Sequence, residues 1–258
     1  MHMKLVFQSD DYAITRAAAQ GILHGIRNGV VRNTGLFANM PWTEECVEWI
    51  RPYLDQIAFG IDLNASTGSS LLGYDKVPNL CHEDGSFYTS RENRALDTDE
   101  NDHDHVDYDQ LYAEFDAQIR KFIELVGKKP DYIHGHAYGT KTTERVRKDL
   151  ADKYGVIYTG DFRKREDVTN KMDWYTIGAG PEGQLKNDPL GSITGDQSLL
   201  NCDYVYVVTH CGYCDAELFA LSSFNTCRVV DLAAATDPRM KQWIEENNIE
   251  LVTFKDIH

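Results

Sequence analysis

Four short clusters carry side chains able to move protons or hold a cation: Asp10-Asp11, Asp62, His134-Gly135-His136 and His210. Adjacent carboxylates repel, so pairing them is useful where a cation or a catalytic proton offsets the repulsion. If one aspartate of the pair binds a metal, its neighbour can hydrogen-bond the metal-bound water and act as general base; a solvated turn is the alternative. His134 and His136 face the same side of an extended strand, and the glycine between them leaves room for close approach. Imidazoles suit Zn, Fe or Ni, and aspartate oxygens widen the choice to Mg or Mn; a packed or surface pair is the alternative. Asp62, taken alone, reads as a turn or cap residue. His210 leaves an apolar run into a glycine-containing turn, where its near-neutral pKa suits a proton donor to a leaving group. A hydrogen-bonded structural histidine would look the same.

The elements that must position these groups alternate between short apolar runs and longer amphipathic ones. Residues 4–7 read as a buried strand, followed by a helical period through Ile14, Ala18, Ile22 and Ile26 that stops near Asn28-Gly29. A second strand is expected over 30–36, a helix from Thr43, and a short apolar run over 57–63. Residues 64–106 break this rhythm and read as an insertion holding short elements, a substrate lid among the candidates. A helix is expected over 108–126, ended by Gly127. Then follow strands at 132–133 and 156–158, a helix over 142–154, a β-branched and aromatic strand at 204–208, a helix at 240–246 and a strand at 249–254. This order points to an α/β fold with mostly parallel strands and outer helices, either an open sheet or a (β/α) barrel. Both architectures place active sites at the carboxyl ends of strands, and all four clusters sit at or just past the ends of apolar runs.

Composition narrows the function classes. The 258 residues carry 26 Lys+Arg against 41 Asp+Glu, a formal charge of −15, which argues against a nucleic-acid or membrane partner. A 42% hydrophobic content supports a real core, and the length suits one α/β-barrel-like domain over 1–258. The opening MHMKLVFQ runs straight into a strand-like segment, so no secretory signal is expected, and Met1 and His2 read as an expression remnant. Six cysteines are too sparse for a disulfide scaffold; a cytoplasmic location is expected, with a homodimer as the default assembly. Two motifs are set aside. Gly178-Ala179-Gly180-Pro181-Glu182-Gly183 matches a dinucleotide fingerprint in letter, but the segment after it is not expected to open a helix. Cys211-Gly212-Tyr213-Cys214 reads as structural thiols rather than a redox or zinc pair. His103 and His105 lie in an acidic run where solvation is the plainer role.

Taken in order, the clusters resemble the YdjC-like carbohydrate deacetylase family, whose characterised members remove acetyl groups from chitooligosaccharides. The likeness runs from Leu5 to Ile257. Phe7-Gln8-Ser9-Asp10-Asp11-Tyr12-Ala13 resembles the family's apolar strand followed by Asp-Asp-aromatic-Gly. Gly60-Ile61-Asp62-Leu63 stands for Gly-Leu-His-Leu, and Pro130-Asp131-Tyr132-Ile133-His134-Gly135-His136 for Pro, an apolar pair and Asp-x-His-x-His. His210-Cys211-Gly212-Tyr213 stands for His-Pro-Gly-Tyr, and Arg228 with Asp231-Leu232 continues the C-terminal pattern. The resemblance implies a distorted (β/α) barrel, with Asp11 and His136 as metal ligands, Asp62 in the place of a third, histidine, ligand, Asp10 as base and His210 assisting the leaving amine.

The departures have chemical consequences. Asp62 makes the first shell more anionic, favouring a harder cation and a less acidic bound water. His134 stands where the family has aspartate, so it joins the candidate ligands. Tyr138 replaces the outer histidine, Ala13 the glycine and Cys211 the proline. The resulting expectation is a metal-dependent hydrolase removing an N-acetyl group from a sugar or short oligosaccharide. Its ion would be one divalent metal, Mg ahead of Zn or Mn. Tyr74, Phe87 and Tyr88 either stack on sugar faces or pack the insertion. The alternatives are a related metal-dependent amide or ester hydrolase, and a divergent carbohydrate-binding protein without turnover.

Overall fold

A computed structural model describes residues 2–98, 104–176 and 178–257. Met1 and the stretch 99–103 of the acidic run, His103 included, lie outside the described residues. The strands are β1 (Lys4–Tyr12), β2 (Asn33–Leu36), β3 (Ala58–Leu63), β4 (Tyr132–Gly135), β5 (Ile157–Tyr158), β6 (Val168–Lys171), β7 (Tyr204–Thr209) and β8 (Glu250–Val252). They form one sheet in the order β5-β4-β3-β2-β1-β7-β6, with every pairing between named strands parallel. β8 shares one edge of β1 with β2: it pairs Lys4 to Val6, while β2 pairs Gln8 to Tyr12.

The sheet curls into a half-barrel because its two ends share one inner core. Val6, Ala58, Tyr132, Val168, Tyr206 and Val252, drawn from six strands, pack in a single cluster with Phe254. The Phe254 ring lies 4.5 Å from Tyr132 of β4, and 5.8 Å from Tyr206 of β7, across the interior. The strand period of two then decides what lies above this plug. Gln8 and Asp10 share the face of Val6, Asp62 that of Ala58, and His134 that of Tyr132. The opposite faces, with Leu5, Phe7, Phe59, Ile61, Ile133, Val205 and Val207, join the larger core beneath the helices. Those helices include α1 (Arg16–Asn28), α2 (Thr43–Ile50), α3 (Ser90–Leu96), α4 (Tyr108–Val126) and α5 (Lys141–Tyr154). After them come α6 (Thr159–Phe162), α7 (Pro181–Gln184), α8 (Pro189–Thr194), α9 (Ala216–Leu221), α10 (Cys227–Thr236) and α11 (Pro238–Glu246).

Local chemistry sets the element ends. Thr15 caps α1 by accepting from the Ala18 amide, so the helix starts two residues after the expected Ile14; a cap of this kind is worth about 1 kcal/mol. Gly127 ends α4 in the left-handed region, at φ 84°. The expected strand over 30–36 begins only at Asn33. The described residues of the 64–106 segment, 64–98 and 104–106, are folded down rather than open. Ser69 and Ser86, and Cys81 and Phe87, form antiparallel bridges. Glu114 of α4 reaches in to accept from Ser70 Oγ at 2.7 Å and from the amides of Leu71 and Leu72. One expectation is corrected at Gly178–Gly183: a single helical turn, α7, does open there, since Pro181 at its first position is already set for helical φ. Among the described residues no strand leads into it, β6 having ended at Lys171, so the dinucleotide context is still lacking. Among the described residues, no helix is long and apolar enough to cross a membrane.

Candidate active site

Parallel strands put all their carboxyl ends at one rim, and the polar residues of β1, β3, β4 and β7 gather there. Strand β1 carries one extra residue against β2: Ser9 pairs with Thr34 and Tyr12 with Leu36. Asp11 absorbs the irregularity at φ 68° and Ala13 at φ 73°, left-handed conformations that cost non-glycine residues of order 1 kcal/mol or more each. The bulge breaks the alternation, so Asp10 and Asp11 serve different neighbours.

Asp10 sits in the inner polar layer. Its Oδ1 accepts from Gln8 Nε2, whose own Oε1 is held by Tyr206 Oη at 2.7 Å. Its Oδ2 lies 3.1 Å from His134 Nε2, and His134 Nδ1 is 2.6 Å from Thr159 Oγ1. Burial alone would raise the Asp10 carboxyl, but the His134 charge and hydrogen bond carry it below its usual value. In the same pair, burial works against the His134 imidazolium and Asp10 outweighs it, so the histidine is pushed up.

Asp11 has different partners. Oδ1 is 2.8 Å from His136 Nδ1, and Oδ2 accepts from Arg228 Nη2 at 2.6 Å. Burial is outweighed by the fields of His136 and Arg228, which hold this carboxyl well below the ordinary range. Arg228 comes from α10, is fully buried, and also donates through Nε to the Phe224 carbonyl. Its Nη1 has no hydrogen-bond partner among the described residues. Asp62, which taken alone reads as a turn or cap residue and by resemblance as a candidate ligand, lies inside β3. Its Oδ2 accepts the Asp11 amide at 2.7 Å and its Oδ1 is buried without a partner among the described residues. The carboxyl lies against Gly35, where a Cβ would collide with it. Burial and the Asp10 charge push Asp62 well above the usual carboxylate range, towards the neutral acid.

His210, just beyond β7, is held by residues the sequence did not single out together. Its amide donates to Asp231 Oδ2 at 2.7 Å, and its Nδ1 lies 3.2 Å from Tyr175 Oη. Tyr175 Oη donates to the same Asp231 oxygen, and Trp174 Nε1 to the other at 3.1 Å. Burial lowers His210 to about 4 and raises Asp231 to about 6. Arg228 and Asp231 belonged to a recognised C-terminal pattern, but Tyr175 follows a four-residue strand with no periodic signal to mark it.

Asp11, His136, His210 and Arg228 line a cavity of 620 Å³, together with Thr67 and Phe224. Asp10, Asp62 and His134 are not on its wall; His134 instead borders a separate 90 Å³ cavity with Arg147 and Thr159. For a divalent ion, the arrangement is poor. The two oxygens of Asp11 are taken by His136 and Arg228, His136 Nε2 lies 3.3 Å from Thr67 Oγ1, and His134 is turned to Asp10. No three His, Cys, Asp or Glu side chains among the described residues form a group able to hold a metal. These residues, so placed, do not fit the ion. All six cysteines are free, and burial pushes the Cys211 thiol up to about 12, which disfavours a reactive thiolate there. Of the aromatics in the insertion, Phe87 is core, Tyr88 packs edge-on against His82, and Tyr74 is exposed.

Comparison with known proteins agrees with this architecture. The family model described as YdjC-like protein matches residues 4–246. A Listeria innocua protein named carbohydrate deacetylase 2 is 30% identical over 260 residues, covering 99% of each chain. A Clostridium beijerinckii carbohydrate deacetylase is 28% identical, covering 99% of this chain and 100% of the relative. The crystal structure of an Enterococcus faecalis protein named for cellobiose-phosphate cleavage superposes with a TM-score of 0.79 at 24% identity, over 100% of this chain and 99% of the other; that likeness speaks to the fold.

Proposed function

The chain belongs to the YdjC-like protein family, and from that premise we propose that it is a carbohydrate deacetylase, hydrolysing the N-acetyl amide of an amino sugar or short oligosaccharide. The observation that carries the reading is the cavity itself. A buried guanidinium, whose Nη1 has no partner among the described residues, and a neutral histidine meet at the rim of a half-barrel.

Amide hydrolysis needs charge stabilisation on the carbonyl oxygen and a proton for the departing amine. The Arg228 guanidinium, held in place by Asp11 and the Phe224 carbonyl, would supply a fixed positive field for the first task. Preorganised charge of this kind is commonly the largest single contribution to the rate. His210 serves the second, handing a proton to the nitrogen as the C–N bond breaks. Asp10, expected as the base, acts in this scheme by holding His134 and Gln8 beneath the cavity floor. Asp11 and His136 fix Arg228. Because Asp11 is engaged by His136 and Arg228, and His134 by Asp10 and Thr159, no step is routed through a metal.

Acetate release from N-acetylglucosamine, diacetylchitobiose and triacetylchitotriose by the purified protein tests the reading. Turnover on at least one, lost in His210→Ala and in Arg228→Met, is expected. Calorimetric binding of these sugars with no acetate released would replace the enzyme by a carbohydrate-binding protein. Turnover confined to simple esters would move it to another hydrolase class.

A further inference from the structure

Tyr175 has one hydroxyl proton and two neighbours, His210 Nδ1 and Asp231 Oδ2. An ionised Asp231 can only accept. It already draws the Trp174 indole N–H and the His210 amide, and it lies within hydrogen-bond reach of Tyr175 Oη. The hydroxyl proton therefore points at Asp231, and the phenol oxygen has only lone pairs left for the imidazole. A hydrogen bond to His210 Nδ1 then requires the proton to sit on Nδ1. The ring is braced for this: it packs edge-on against Tyr175 and Phe224, with centroids 5.7 Å and 4.8 Å away.

We propose that Tyr175 is a positioning residue that fixes His210 in the Nδ1–H tautomer, so that an unprotonated Nε2 faces the cavity and takes the proton of the attacking water. This deepens the deacetylase reading and rests on it for the chemical step. As the water oxygen bonds to the acetyl carbon, one water proton passes to Nε2. When the C–N bond breaks, that proton passes from Nε2 to the sugar nitrogen, and its electron pair leaves with the amine. The second water proton stays on the acetic acid, which ionises into solvent. His210 ends neutral, with Nδ1 protonated throughout, and no further reactant is consumed. One histidine thus supplies both base and acid, and Asp10 is not needed to touch the water.

Two measurements on the intact protein test this. Long-range ¹⁵N–¹H correlation spectra of histidine-labelled protein, with His210 assigned by its disappearance in His210→Gln, should show Nδ1 protonated and Nε2 unprotonated in the wild type. In Tyr175→Phe, which keeps the ring and its packing, this pattern should give way to a mixture or to Nε2–H. On a sugar the enzyme turns over, Tyr175→Phe should lower kcat by roughly 10- to 100-fold, the usual cost of losing a histidine's orienting partner, with KM little changed. A wild-type His210 protonated on Nε2 overturns the proposal, as does a Tyr175→Phe protein with unchanged tautomer and kcat. If the tautomer is as stated and no amide is hydrolysed, the deacetylase reading fails while the positioning stands.

Discussion

Replacing Arg228 by Met isolates the ion pair on which the cavity is built. The guanidinium lies 2.6 Å from Asp11, and the two side chains are 1% and 2% exposed. Met fills similar volume without charge, so the substitution leaves a buried carboxylate whose remaining side-chain partner is His136. Breaking a buried pair from one side costs about 3–5 kcal/mol, mostly through the stranded charge. Removing both charges in Asp11→Asn/Arg228→Met should therefore be less damaging than the sum of the singles, with a coupling of about 1–3 kcal/mol. Urea unfolding at pH 7, followed by fluorescence of the four tryptophans, measures each leg of the cycle. The pH dependence supplies a second sign. Arg228 helps hold Asp11 well below its ordinary value, so the wild type draws stability from this carboxylate above pH ~3.8 and loses it on further acidification. Without Arg228, protonation relieves the stranded charge, and the gap between Arg228→Met and wild type should narrow as pH falls. A single-mutant cost below about 1 kcal/mol, or additivity within about 0.5 kcal/mol, would refute this account of the pair.

Asp231, raised by burial to about 6, works in the opposite sense. Its proton favours the folded state, so stability is full below pH ~4 and falls as pH rises through 6; relative to Asp231→Asn, the wild type should lose about 2 kcal/mol between pH 4 and 7, read from paired urea titrations. Calorimetric titration with Mg, Mn and Zn should show weak binding to the wild type, because an ion must displace Arg228 from Asp11, and a tight equimolar site would refute the donor arrangement described. Ala13, held at φ 73°, should be improved by glycine, with Ala13→Gly gaining about 1 kcal/mol in thermal or urea unfolding.

Strand alternation made much of this fold legible. Leu5-Val6-Phe7 and Val205-Tyr206-Val207 announce buried strands, and the long period of 108–126 gives α4 its full extent. That Asp11 and His136 share one rim followed from two polar clusters at strand ends, while their pairing was what the family resemblance implied. What escaped the sequence depended on single contacts. Asp62 looks like a turn residue until β3 and β4 pair it with His134. Tyr175 acquires meaning only when the loop after β6 folds beside α10. Arg228 matched a pattern, yet nothing in its neighbours says that its charge would meet Asp11, 217 positions away. Short elements such as β6 and α8 have too few residues to show a period at all.

The unclosed seam of the half-barrel has a consequence for the chain's solution behaviour. An open sheet offers two rows of unpaired amides and carbonyls, each a template on which another polypeptide can add. Here the terminal strands are β5, two residues long, and β6, four residues ending in Lys171, whose ammonium is tied to Asp173 and Asp196. Ladders this brief offer an incoming strand few backbone bonds. The half-barrel can stay open towards substrate without inviting fibrous self-association.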